Sequence, residues 1–167
     1  VGSQALDANT TADYNNAFGY QALTANTTGT LNDGFGYVAL AANTTGSNNT
    51  AMGGGALDAN TTGSENVAIG RDSIGVNSSG SSNTAVGRLA LGSGTGFSNN
   101  TAIGYYSFNA NTTGTNNVGL GRGTGQLNTT GNDNTFVGDR AGSQCTTNGQ
   151  NTFIGGRAGS QVTGQQN

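Results

Sequence analysis

Glycine returns every 17 residues along this chain. It stands at Gly2, Gly19, Gly36, Gly53, Gly70, Gly87, Gly104, Gly121, Gly138 and Gly155, with no insertion. Asparagine keeps the same step at Asn15, Asn32, Asn49, Asn66, Asn83, Asn100, Asn117, Asn134 and Asn151. A period held this strictly marks a stacked repeat, and it restricts the fold more than any other feature of the sequence. Counted from that asparagine, the unit reads N-T-A-[apolar]-G-x-x-[small]-L-x-x-N-T-T-G-x-x.

A unit of 17 residues is too short for a helix–turn–helix repeat, which takes about 33 or more. It also lacks runs of helix-forming residues, and Gly and Asn interrupt it every few positions. Short pieces such as "TAVG", "NVAIG" and "TFIG", set between Asn, Gly, Ser and Thr, suit strands and tight turns. The pattern predicts an all-β parallel β-solenoid or β-roll with one repeat per coil, each coil ~4.8 Å from the next. Residues 1–167 then form a single array of about ten coils, cut from a longer fibrous chain.

The places of the unit have mechanical readings. Glycine at place five supplies a positive φ or a close backbone approach. Asparagine at place one stacks amide to amide on the next coil and satisfies turn backbone groups. "NTTG" is a turn. The apolar residues at place four (Val1, Phe18, Phe35, Met52, Ile69, Val86, Ile103, Leu120, Val137, Ile154) and the small residues at place eight are expected to point inward. So thin a core favours symmetric association. The place-three column of Ala17, Ala51, Ala68, Ala85 and Ala102, with Gly34 and Gly119, is then the expected site of close chain–chain approach. Place nine changes from Leu to Gly125, Gly142 and Gly159, while Phe136 and Phe153 enter at place three. A different cross-section is therefore expected over 121–167.

Two stretches carry a family resemblance. "NVAIGRDS" (Asn66 to Ser73) and "NTAVGRLAL" (Asn83 to Leu91) resemble the head repeats of trimeric autotransporter adhesins, although those units are usually shorter. "GYQALTANTTG" (Gly19 to Gly29) and "NTFIGGRAG" (Asn151 to Gly159) resemble repeats of phage tail-fibre-like and bacterial surface proteins. Such repeats often precede a self-cleaving intramolecular chaperone domain of the endosialidase type. The resemblance implies a left-handed parallel β-roll, a homotrimer around one axis, and a shaft or head in an extracellular fibre. It carries over no catalytic residue.

Composition removes most other classes. Five basic residues, all Arg, are too few for a phosphate-tracking surface, so no nucleic-acid partner is expected. No apolar run approaches the ~20 residues of a membrane helix. The lone Cys145 permits no internal disulfide. Without His or Lys, most nucleophile–base pairs are impossible, and zinc lacks a Cys/His cluster. The acidic residues Asp7, Asp13, Asp33, Asp58, Glu65, Asp72, Asp133 and Asp139 are scattered over different places, and the calcium signature G-G-x-G-x-D is missing. "GGGAL" and "GSGTG" share only glycine with phosphate loops. No enzyme activity, metal or cofactor is expected.

Two surface ladders remain. Place six carries Tyr20, Tyr37, Arg71, Arg88, Tyr105 and Arg122, residue types suited to contacts with sugars and proteins. The second ladder is the triplet starting at Asn9, Asn26, Asn43, Asn60, Asn77, Asn111 and Asn128. Each triplet is a glycosylation sequon, and regular Thr rows also raise ice binding. Adjacent Thr residues face opposite ways on a strand, which argues against ice. The leading expectation is a structural and adhesive rod. The alternative is a filament subunit or a solenoid that itself binds glycan or ice.

Overall fold

The computed structural model of the chain describes residues 2–162. It is a β-solenoid. Nine strands of three residues follow one another: β1 (Asn16–Phe18), β2 (Asp33–Phe35), β3 (Thr50–Met52), β4 (Val67–Ile69), β5 (Thr84–Val86), β6 (Thr101–Ile103), β7 (Val118–Leu120), β8 (Thr135–Val137) and β9 (Thr152–Ile154). They form one parallel sheet in sequence order. Every pairing joins residues 17 apart, as in Ala51 with Ala68 and Ala68 with Ala85. Place four of the first unit, Val1, lies outside the described residues.

Two asparagine ladders run through the interior. Asn32 donates from its backbone N–H and its Nδ2 to Asn15 Oδ1, at 3.0 and 3.2 Å. The same pair of bonds recurs from Asn49 to Asn32 and onward to Asn151. At place twelve, Asn43 Nδ2 donates to Asn26 Oδ1 at 2.9 Å and also to Gly46 O at 2.9 Å. Asn32 Nδ2 reaches that same carbonyl from the other side, at 2.8 Å. The coils that carry asparagine at both places are thus tied across their middle by two side chains meeting on one place-fifteen oxygen, as on Gly63, Gly114 and Gly131. Such bonds matter because a buried amide without a partner costs about 1–3 kcal/mol.

The expected glycine column is confirmed in both of its roles. Gly87 has φ +126, and a Cβ there would lie 2.7 Å from the carbonyl carbon of Gly104. Corners elsewhere are made by left-handed residues that are not glycine, including Val38 (φ 49), Leu40 (φ 53) and Ile74 (φ 48). This conformation costs an L-residue roughly 1–2 kcal/mol. Inter-coil bonds such as Leu40 N–H to Ala56 O, at 3.0 Å, hold it in place.

The structure corrects the expected inside and outside of the strand. A three-residue strand alternates faces, so places three and four cannot both be buried. Place three points inward: Ala51, Ala68, Ala85 and Ala102 are fully buried, together with Ala and Ser at place eight and Leu23, Leu40, Leu57, Ile74 and Leu91 at place nine. Place four points outward. Phe18, Phe35, Met52, Ile69, Ile103, Leu120 and Ile154 are all exposed. The reason is volume. Leu at place nine fills the narrow interior, and only a small residue fits opposite it: a Cβ on Gly34 would already touch Leu23 at 3.4 Å. The Ala/Gly column therefore lies in the core, not at a chain–chain contact.

Where a different cross-section is expected, the packing of the core changes while the strand pairing does not. Register continues one to one through β7, β8 and β9. What changes is the wall that supplies the bulk. Phe136 and Phe153 at place three enter the core and stack in series after Phe108, with ring centroids 5.6 and 5.4 Å apart. Gly142 and Gly159 make room for them, since a Cβ at either would meet a Phe ring at 2.7 or 2.4 Å. Gly119 and Gly125 make the same room for Phe108.

Candidate contact surface

Place six follows the strand and its glycine, so its side chains stand on the outside of the first corner. The structure brings the predicted ladder together in short runs. Tyr20 and Tyr37 stack with ring centroids 5.6 Å apart and planes 12° apart. Gly54 interrupts the row. Arg71 turns to its neighbour Asp72 at 3.1 Å. The Arg88 guanidinium lies 5.8 Å from the centre of the Tyr105 ring and donates to its hydroxyl at 3.3 Å. Arg122 forms a two-pronged pair with Asp139, at 2.7 and 3.1 Å. That bond holds the Asp139 carboxyl below the usual range and raises the arginine. Both groups are exposed, so the pair adds little stability.

Tyr106 was not singled out by sequence because it sits at place seven, outside the ladder. Its ring meets Tyr105 edge-on at 4.4 Å. The two tyrosines, with Arg122, Gln126 and Arg140, line a small hollow of about 140 Å³. Aromatic faces and cations next to each other form a surface suited to sugar rings and protein side chains. Repetition of residue type at one place was the only signal available from sequence. It could not show that a neighbouring place contributes to the same surface.

The sequon ladder is corrected. Asn26, Asn43, Asn60, Asn77, Asn111 and Asn128 are fully buried, and their amides are committed to carbonyls inside the coil. Asn9 is partly buried and donates to Ala12 O at 3.0 Å. A glycan on any of the six buried amides has no room in the folded coil. The first Thr of the triplet is engaged as well: Thr27, Thr44 and Thr61 donate their hydroxyls to the place-thirteen carbonyl of the next coil, at 2.9 to 3.0 Å. The second Thr is exposed at Thr28, Thr45, Thr62, Thr113 and Thr130, and no such inter-coil bond ties its hydroxyl among the described residues.

The carboxylates remain dispersed. Asp58 is pushed up from the ordinary range, mainly by partial burial and secondarily by the nearby charge of Asp72. Burial likewise raises the Cys145 thiol, so it is a weaker nucleophile than a free one. No group of three or more His, Cys, Asp or Glu side chains suited to a metal ion exists among the described residues. No helix among them is long and apolar enough to cross a membrane. No family model, curated protein or solved structure matches this chain.

The most extensive surface is the one that sequence placed inside. The outer face of the sheet carries nine place-four residues in register, from Phe18 to Ile154, flanked at place two by Asn16, Asp33, Val67, Val118 and otherwise Thr. Exposed apolar side chains scattered singly are ordinary, but a continuous row along a whole sheet marks an interaction surface.

Proposed function

We propose that this chain is a rigid segment of an extracellular fibre or virion tail fibre, assembled as a homotrimer through the outer face of its sheet. The observation that carries this reading is the outward row of Phe18, Phe35, Met52, Ile69, Ile103, Leu120 and Ile154, continued by the half-buried Val86 and Val137. Three such sheets facing one axis would bury the row. The Tyr and Arg side chains of place six lie beyond the corner, where they would remain available to a host receptor or surface glycan. The role is mechanical and adhesive, without catalysis. Hydrogen-bonded ladders supply stiffness, and the outer corner supplies contact.

Sedimentation equilibrium at several concentrations tests the reading. The expected mass is three times the 16.5 kDa of the chain. Ile69→Asp combined with Ile103→Asp should reduce it to that of one folded chain, because six carboxylates would meet on the shared axis. A wild-type chain that is folded and monomeric at every concentration would overturn the trimer and leave a self-sufficient solenoid. Mass that grows without limit would favour the second reading, a filament subunit whose ends stack.

A further inference from the structure

A second recess lies on the same outer wall as the tyrosine hollow, farther toward the C-terminus. It is an open groove of about 570 Å³, lined by Arg140, Ser143, Gln144, Arg157, Ser160 and Gln161. These six residues are one motif used twice. Arg-Ala-Gly-Ser-Gln occurs at 140–144 and again at 157–161, one coil apart, and no other unit has Arg at place seven or Ser-Gln at places ten and eleven. The solenoid therefore sets two identical trios side by side at the ~4.8 Å spacing of parallel strands.

Charge distinguishes this groove from the rest of the wall. The chain has five arginines. Arg71 pairs with Asp72, Arg122 with Asp139, and Arg88 lies against Tyr105. Arg140 and Arg157 are the two whose guanidinium groups hold no hydrogen bond or ion pair among the described residues, and they act on Asp139 only through space. Asp139 itself is taken by both prongs of Arg122. The result is two adjacent, unneutralised guanidinium groups in a chain of net charge −3. A Cβ added at the neighbouring Gly156 would meet nothing within 4 Å among the described residues.

We propose that this groove binds a carboxylated saccharide, with the sugar carboxylate held between Arg140 and Arg157. Arginine presents a planar fork of donors that matches a carboxylate. Ser143, Gln144, Ser160 and Gln161 offer hydroxyls and amides, which both donate and accept, and sugar hydroxyls require both. The groove has no apolar floor for a hydrophobic ligand, and two cations cannot track a nucleic acid. Arg140 also borders the hollow of Tyr105 and Tyr106, so a second sugar ring can continue onto an aromatic face. This inference names the ligand class for the adhesive part of the function proposed above, but it does not depend on the trimer.

The test is a calorimetric or NMR titration of the whole chain with trigalacturonate, its fully methyl-esterified form and a sulfated disaccharide. Trigalacturonate should bind in the millimolar range or tighter and weaken with added salt. The ester should bind at least about tenfold more weakly, the loss expected when a charge-assisted pair is removed. Arg140→Gln and Arg157→Gln should each produce a similar loss, and Arg71→Gln should produce none. Both groove residues are exposed, so unchanged melting and molar mass of the variants separate a binding defect from a failure of the rod. Equal binding of acid and ester, a preference for the sulfated sugar, equal loss in Arg71→Gln, or no binding at millimolar sugar would each overturn the assignment.

Discussion

The side-chain oxygen of Asn128 is buried one coil away from Cys145 and receives no hydrogen bond. At four other steps of the ladder the next asparagine donates to that oxygen, as Asn60 Nδ2 does to Asn43 Oδ1 at 2.8 Å, whereas Asn60 Oδ1 is left without a partner below Asn77. Cys145 occupies the corresponding place and its thiol turns the other way, toward Val162 O at 3.6 Å. Cys145→Asn should complete the ladder and raise stability by about 1 kcal/mol, the usual worth of satisfying a buried acceptor. Urea unfolding of the variant beside Cys145→Ser checks this. A midpoint no higher for Asn than for Ser would show that the orphaned oxygen is not costly here.

Phe136 and Gly142 are two halves of one packing solution. Phe136→Ala should cost about 3–5 kcal/mol, the range for emptying a buried ring position. Gly142→Leu alone should also destabilise, because its Cβ would start 2.7 Å from the Phe136 ring. The double variant recreates the Ala/Leu arrangement of the coil holding Ala85 and Leu91. It should therefore recover at least about 1–2 kcal/mol relative to the sum of the singles. Strict additivity in the double-mutant cycle would mean that the two walls do not share the space.

Two glycines with opposite surroundings make a matched pair. Gly87→Ala should destabilise by roughly 3 kcal/mol or more, since it combines an unfavourable φ with a clash against the next coil's backbone. Gly96→Ala meets nothing within 4 Å and should stay within about 0.5 kcal/mol of wild type. Thermal unfolding of both reports whether the column is required by the stack or merely tolerated.

Asp58 should make stability depend on pH in a direction opposite to that of a paired carboxylate. Its folded-state pKa is raised, mainly by burial, so the folded chain holds this proton more tightly than the unfolded chain. Its contribution is most favourable below the unfolded value of ~3.9 and declines as pH rises through the folded value. Asp58→Asn should therefore stabilise the protein at neutral pH, by at most about 1 kcal/mol because water reaches the side chain, and should have no advantage at the acid end. Stability curves of the two proteins that stay parallel from acid to neutral pH would contradict this.

The period, the coil and the place-one asparagine ladder were legible because they depend on spacing, and spacing is what a repeat displays. The sense of the strand was not. Alternation says that Ala68 and Ile69 face opposite ways, but it does not say which one is inside. Reading the larger residue as the core residue is sound in a wide interior. It fails in a coil already filled by Leu57 and Ile74. Phe97 was hidden for a related reason: it replaces the turn glycine of its unit in the same coil where Gly94 replaces asparagine, and it is fully buried. Such exchanges become visible when two places of one unit are compared together. Likewise, Asn26 and its equivalents satisfy a surface-modification motif, and only their contacts show that the motif is spent on the interior.

Because each strand pairs only with the strands of the coils before and after it, in a register of 17 residues, the register is a rule about length. A deletion of one or two residues would misplace every Asn, Gly and Ala beyond it at once. Loss or gain of a whole unit would leave each remaining junction as it was. Recombination between near-identical coils can thus shorten or extend the rod in steps of one strand spacing, ~4.8 Å, without redesigning any contact. The length of the solenoid is in this sense a heritable variable separate from its chemistry, set by counting coils.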